Sequence, residues 1–201
     1  IDATIEATPT THENWVANTG TDNDFHPYSV SVGPDGTIWS ISTDYSDGGE
    51  DNLNYYHFYV NKGVYNDGTD QVDWTSPIYE IVPDFYYDGA DRFSGWGWDI
   101  AVDPTDANVV YAMVNCQEVA DMNAGNTSTA PHIWKTTDGG ATWAQQALLD
   151  YAPFEAELEG LIFYDADAGD SMHPKARNVD MTVDANGVLH CFIELGSDAE
   201  T

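Results

Sequence analysis

A short unit of two strands around a tight turn recurs three times and constrains the fold more than any other feature. Each copy has an apolar triplet, a cluster of Gly, Asp, Asn or Pro, and a second run rich in β-branched or aromatic residues. The copies span Val30–Ile41, Ile100–Met113 and Met181–Phe192. Helical periodicity is almost absent elsewhere, so the sequence predicts an all-β fold.

Two further strand candidates follow each of the first two copies, at 55–61 with 74–81 and at 132–136 with 142–149. Four antiparallel strands per unit are typical of a β-propeller blade. We therefore predict a blade remnant over 1–27, blades over 28–82 and 98–149, and a half blade over 179–193. About two and a half blades form a partial ring with exposed edges, so we expect the chain to be a fragment whose remaining blades belong to the same polypeptide.

The lengths of the connections predict two unlike faces. In a four-stranded meander the first and third connections emerge at one end of the blade, and the others emerge at the opposite end. The first and third connections are mostly short, whereas the others, at 43–54, 83–97, 115–131 and 150–178, are long. Because loops on a rigid scaffold usually carry binding residues, we expect a ligand site on the long-loop face.

The segment 136–143 reads Thr-Thr-Asp-Gly-Gly-Ala-Thr-Trp. It resembles the Asp box of the sialidase-like (BNR) repeat propellers, with matches at Thr136, Asp138, Gly140, Thr142 and Trp143. The physical reason for such spacing is a tight turn in which Asp138 accepts backbone amides and Gly140 takes a positive φ. We expect Trp143 to be buried against its own blade.

The resemblance covers about residues 28–193 as architecture, but it includes one full Asp box only. In the first blade, 61–68 keeps Asp-Gly without the rest of the pattern. In secreted bacterial members the box lies at the blade periphery, opposite the ligand site. The fold hosts sialidases, xyloglucan-cleaving enzymes, receptors and lectins, so the box indicates the fold rather than an activity.

The net charge of −30, from 35 acidic and five basic residues, makes nucleic acid and anionic membranes unfavourable partners. Clustered carboxylates could instead bind Ca²⁺, although solvated surface charge is the simpler interpretation. The candidate calcium ligands lie in acidic loops: Asp44, Asp47, Glu50, Asp51, Asp165, Asp167 and Asp170, with Asp67, Asp70 and Asp73 as a further group. No apolar run is long enough to predict membrane insertion, and we expect a secreted or cell-surface protein.

The segment 85–98 is the best candidate for a ligand site because it combines aromatic rings, glycines and an arginine on the long-loop face. The candidate ligand-binding residues are Tyr86, Tyr87, Arg92, Trp96, Trp98 and Asp99. The alternative is that these aromatic rings pack between blades. Asp99 could serve as an acid of a glycoside hydrolase, although a hydrogen bond to the turn at the start of the strand is the favoured interpretation.

These features predict a non-catalytic module that binds glycan or protein ligands on its long-loop face. One alternative is that the complete propeller is a xyloglucanase-like glycoside hydrolase, and another is a structural scaffold in a large exported protein. Sialidase activity is disfavoured because the chain has two arginines, Arg92 and Arg177, whereas that chemistry uses an arginine triad. Whether Cys116 and Cys191 form a disulfide stays open at this point.

Overall fold

The computed structural model describes residues 26–47, 53–75, 79–81, 87–88, 91–92, 94–116, 130–148 and 174–197. All regular structure in this part of the chain is β, and the sheet pairs are antiparallel. The strands are β1 (His26–Val32), β2 (Thr37–Asp47), β3 (Leu53–Asn66), β4 (Gln71–Trp74), β5 (Tyr79–Ile81), β6 (Tyr87–Asp88), β7 (Asp91–Arg92), β8 (Ser94–Asp103), β9 (Asp106–Cys116), β10 (Ala130–Thr136), β11 (Ala144–Leu148), β12 (Pro174–Val183) and β13 (Leu189–Ser197).

Three sheets carry most of these strands. The first sheet has the order β1-β2-β3-β4, and β5 also pairs with β3. The second sheet is four-stranded, in the order β8-β9-β10-β11, and the third consists of β12 and β13. Strands β6 and β7 form a small separate hairpin.

Of the ten strands predicted in the three repeated units, nine are confirmed as antiparallel strands, most of them longer than expected. The predicted strand at 74–81 differs, because it is divided into β4 and β5, both of which pair with β3. Strand β3 also runs through 61–66, so the degenerate Asp-Gly turn of the first sheet lies at 67–70. A left-handed Asp70, with φ of 55°, closes that turn.

The second sheet is buried on both faces. One face packs against the first sheet in a cluster that includes Trp39, Phe58, Ile100 and Val110. The opposite face packs against the third sheet through Ala101, Tyr111, Met113, Met181 and Val183. Successive side chains of a strand point to opposite faces, so residue alternation along β8 and β9 supplies both interfaces.

The registers of the three first hairpins define equivalent positions. The pairs that flank the turn are Val32 with Ile38, Val102 with Val110, and Val183 with Leu189. Counting back along the first strands makes Ser29, Asp99 and Asp180 equivalent. Each first strand has an irregular register shortly before or at this position: between Pro27 and Ser29, between Ser94 and Trp98, and between Ala176 and Val179.

Within the described ranges, no helix has the length and apolar character needed to cross a bilayer.

Replacing Phe58 by Ala should destabilise the fold by about 3–5 kcal/mol, the usual cost of truncating a buried Phe. Phe58 is 0% exposed, and its ring meets that of Trp98 edge-on with centroids 5.3 Å apart. The matched control is Phe192→Ala, at a side chain that is 63% exposed, where the change should be within about 0.5 kcal/mol. Denaturant unfolding of the two variants at low protein concentration measures both, and equal effects would contradict the packing of the first sheet on the second.

Candidate functional site

The Asp-box turn between β10 and β11 is held by a carboxylate and two hydroxyls. Asp138 Oδ1 accepts hydrogen bonds from Thr136 Oγ1 at 2.7 Å and from the Thr142 amide at 2.9 Å. Asp138 Oδ2 accepts from Thr142 Oγ1 at 2.6 Å. The buried Thr136 Oγ1 in turn accepts from the Gly140 amide at 3.0 Å. The predicted role of Asp138 in bracing the turn is confirmed, and Gly140 has the expected positive φ, 94°.

These donors favour the charged form of Asp138. The hydroxyl and amide of Thr142, assisted by the hydroxyl of Thr136, lower the pKa of Asp138 from 3.8 to about 2. The carboxylate is exposed, so burial opposes this change only weakly. Asp138 therefore holds the turn as an anion over the ordinary pH range.

The turns of the three first hairpins, β1–β2, β8–β9 and β12–β13, use carboxylates in the same way. Asp35 accepts from the amide and hydroxyl of Thr37, and Asp103 accepts from both groups of Thr105. Asp184 accepts from the amides of Asn186 and Val188, which lower its pKa to about 2. Much of the negative charge in the described turns is thus bound to backbone amides.

Trp143 corrects one prediction. Its half-buried ring packs on the first sheet: it stacks on Tyr79 with centroids 5.5 Å apart and meets Trp39 edge-on at 6.3 Å. The expectation of near-complete burial against its own blade missed these contacts, which cross the interface between the sheets. The tryptophan of the Asp box therefore joins two sheets.

Two lysines that sequence reasoning missed repeat an equivalent contact. Lys62 Nζ lies 5.0 Å from the centroid of Trp39, and Lys135 Nζ lies 4.9 Å from that of Tyr111. Lys62 Nζ also donates to the carbonyl oxygen of Gly139 in the Asp-box turn, at 3.2 Å. Each lysine lies directly opposite its aromatic partner on the neighbouring strand, so the register of strand pairing is the feature that could have identified these contacts.

Asp99 connects all three sheets. It accepts hydrogen bonds from the Ser29 hydroxyl of the first sheet, from the Ile100 amide at 2.8 Å, and from the Met181 amide of the third sheet. Burial raises the pKa of Asp99, the three donors oppose that rise, and the charge of Asp180 adds to it. The favoured prediction, a residue at the start of the strand bonded to the turn, was wrong: Asp99 lies within β8, and its donors are on β8 itself and on the first strands of the other two sheets.

The aromatic segment contributes one buried ring to the core, and its other described residues are placed in strands. Trp98 is buried against Phe58, as the packing alternative predicted for these rings. Tyr87, Arg92 and Trp96 lie in β6, β7 and β8, and their side chains are outside the described part of the structure. Tyr86 lies outside the described residues altogether.

The β8 backbone is irregular where it leaves this segment. It advances from Ser94 to Trp98 while its partner β9 moves only from Cys116 to Val114, and Gly97 within this bulge has φ of 121°. A side chain at that φ would be strained, so the glycine permits the bulge. Bulges near the ends of sheets commonly redirect the chain at functional sites.

The two ends of the second sheet differ as the connection lengths predicted. Val102, Val110 and Thr136 lie across the sheet at the end with the short turns, where the Gly139 amide donates to the Asn108 carbonyl oxygen at 3.1 Å. Ser94, Cys116 and Ala130 lie across the opposite end, where the long connections leave. Trp96 is therefore near the end opposite the Asp-box turn.

The metal prediction falls mostly outside the described residues. Glu50, Asp51, Asp165, Asp167 and Asp170 are all outside, and Asp44 and Asp47 are placed only as backbone in β2. Among the side chains that the structure describes, no three His, Cys, Asp or Glu residues form a group suited to a metal ion. Asp67, Asp70 and Asp73 are thus not brought together; Asp70 and Asp73 accept hydrogen bonds from Tyr65 and Asn66.

Cys191 has a free thiol on the half-buried face of β13, and burial raises its pKa. The side chain of Cys116 is outside the described part of the structure.

Comparison with known proteins adds no assignment: no family model matches the chain, and no curated protein is significantly similar to it.

Acid should destabilise the native protein more steeply than it does an Asp138→Asn variant. The pKa of Asp138 is about 2 in the folded protein, below the ordinary aspartate value of 3.8. The carboxylate therefore stabilises the fold fully above pH 3.8, and this stabilisation is lost as the pH falls through about 2. Melting temperatures between about pH 5 and pH 2 measure the difference. Asp184→Asn should act similarly, and identical pH profiles for native protein and both variants would disprove the role of these turns.

Replacing Asp99 by Ala should lower the free energy of unfolding by about 1–3 kcal/mol, because it leaves buried donors on neighbouring strands without an acceptor. The matched control is Asp180→Ala, at the equivalent but exposed position of the third sheet, where the change should stay within about 0.5 kcal/mol. Denaturant unfolding at low protein concentration compares them. A larger effect at Asp180 would overturn the assignment of Asp99 as the link.

Proposed function

We propose that the three sheets are successive blades of a β-propeller and that the chain serves as a non-catalytic binding module. The four-stranded second sheet, with a neighbour on each face, supports the arrangement. The first strands also lie side by side, since Asp99 of β8 bonds to both β1 and β12. Face-to-face stacking of four-stranded meanders is the building principle of propellers.

The ligand surface in this proposal is the end of the sheets from which the long connections leave. The observation that carries it is the difference between the two ends. The short-turn end uses its carboxylates to hold backbone amides, whereas the opposite end has a bulge in each first strand and receives the aromatic segment. Elaborated connections on a rigid scaffold are where binding residues concentrate.

Glycans or protein segments are the ligands that suit this surface. Aromatic rings can stack on sugar faces, and an arginine beside them can bond hydroxyls or carboxylates. Tyr87 and Arg92 are paired across the β6–β7 hairpin, so their backbones lie side by side. The net charge of −30 disfavours nucleic acid and anionic membranes on electrostatic grounds.

Binding without catalysis is favoured over glycoside hydrolysis by the state of Asp99. Both of its oxygens already accept hydrogen bonds within the protein, and the side chain is buried between sheets. A glycosidase acid must instead reach the glycosidic oxygen of its substrate. In this proposal the raised pKa of Asp99 results from burial between the sheets and does not mark a catalytic acid.

The proposed setting is the cell surface or the extracellular medium, and further blades complete the ring. The acidic composition and the resemblance to secreted Asp-box propellers support the setting. The exposed outer faces of the first and third sheets support the need for additional blades, which either the same polypeptide or another copy of the chain can supply.

A glycan array probed with the labelled chain tests the proposed surface. Replacing Trp96 by Ala should abolish the signals, because a stacking platform is worth a large share of sugar binding. Tyr65→Ala is the matched control: this exposed ring lies near the short-turn end and its loss should leave binding unchanged. Repeating the array with calcium and with a chelator determines whether the acidic loops contribute a metal ion.

Two results would contradict the proposal. Release of sugar from the arrayed glycans would favour the hydrolase, and equal binding by the Trp96 and Tyr65 variants would remove the ligand from the long-connection end. Melting curves of both variants must match that of the native protein, so that lost binding reports the surface rather than the fold.

A further inference from the structure

The two outermost faces of the stack are unlike each other, and each has a buried counterpart inside the chain. The third sheet turns one face towards the second sheet and the other towards solvent. The first sheet packs on the opposite face of the second sheet, and its own outer face is directed away from the second sheet. Equivalence by register identifies the contacts that each outer face would make.

The outer face of the third sheet corresponds to the face of the second sheet that is buried against its neighbour. Phe192 is equivalent to Met113, and His190 is equivalent to Tyr111. Met113 is 0% exposed because Met181 and Val183 of the third sheet cover this face. Phe192, in contrast, is 63% exposed.

The outer face of the first sheet corresponds to the surface that does the covering. Val30 and Val32 are equivalent to Met181 and Val183. The two valines are 57% and 62% exposed, although their counterparts are buried. Exposed apolar side chains grouped in this way indicate an interaction surface.

The donor and the acceptor of one hydrogen bond between sheets also have equivalents on these two outer faces. Asp99 accepts the amide of Met181 across the interface between the second and third sheets. Asp180, the equivalent of Asp99, is exposed on the third sheet, and Val30 is the equivalent of Met181 on the first. A sheet that packed on Phe192 in the same geometry would bring the Val30 amide to Asp180.

We propose that the chain associates with a second copy of itself head to tail, with the Phe192 face of one copy on the Val30 and Val32 face of the next. The interface repeats the one between the second and third sheets. It is heterologous, so a dimer still has one free face of each kind, and association proceeds to a closed ring or an open stack. The proposal rests on the stacked arrangement of blades but not on ligand binding.

Electrostatics determines when this association is visible. Each copy carries a net charge of −30, so two copies repel each other at low ionic strength. Salt screens the repulsion and strengthens apolar contacts. Self-association should therefore increase with both salt and protein concentration.

Sedimentation velocity across a salt and concentration series tests the proposal with two variants. Val32→Asp blocks one face and Phe192→Asp blocks the other, so each variant alone should remain monomeric. An equal mixture should form a dimer, because the intact third sheet of the first variant meets the intact first sheet of the second. Val64→Asp is the matched control, since Val64 is 57% exposed but lies outside both faces, and it should associate like the native chain.

A native chain that stays monomeric at high salt and the highest soluble concentration would overturn the proposal. So would a mixture of the two variants that stays monomeric while the native chain associates, since that result requires a different interface. Matching melting curves of dilute native protein and variants establish that the monomers are folded. A failure here leaves the glycan array unaffected, so the two proposals are tested separately.

Discussion

The burial of the second sheet on both faces is the constraint on which the other features depend. A sheet with one solvated face alternates polar and apolar residues, whereas β8 and β9 have apolar side chains on both faces. Such a sheet is stable only between two neighbours. The ties between sheets, through Asp99, Lys62 and Trp143, are effective because the packing already brings the strands together.

The strongly acidic composition is compatible with this packing because carboxylates serve as turn acceptors. A short Asp side chain can satisfy amides that a tight turn leaves without partners, which is worth more than the mutual repulsion it adds in screened water. Asp35, Asp103, Asp138 and Asp184 each accept at least one turn amide and at least two hydrogen bonds in all. Net charge therefore says little about where cations would bind on this protein.

The sequence predicted the strands, the antiparallel pairing and the Asp-box turn because each depends on local pattern. Alternation and turn residues determine a hairpin over a few residues, and Thr136 to Trp143 specify their own hydrogen bonds. Trp143 and Asp99 were assigned to local roles because their partners, Tyr79, Ser29 and Met181, are distant in the chain. Contacts between sheets depend on how one sheet is rotated against the next, which no local pattern encodes. The positions of the candidate binding residues depend on the conformation of the long connections, and the sequence shows only how long these connections are.

The scarcity of basic residues has a consequence for how the protein meets proteases. All five lysines and arginines, Lys62, Arg92, Lys135, Lys175 and Arg177, lie within strands. The long connections contain none outside the β6–β7 hairpin, although exposed loops are where proteolytic nicking usually begins. Four of the five sites for trypsin-like enzymes therefore lie in paired strands of the three sheets, so cleavage at Lys62, Lys135, Lys175 or Arg177 is a direct reporter of sheet opening.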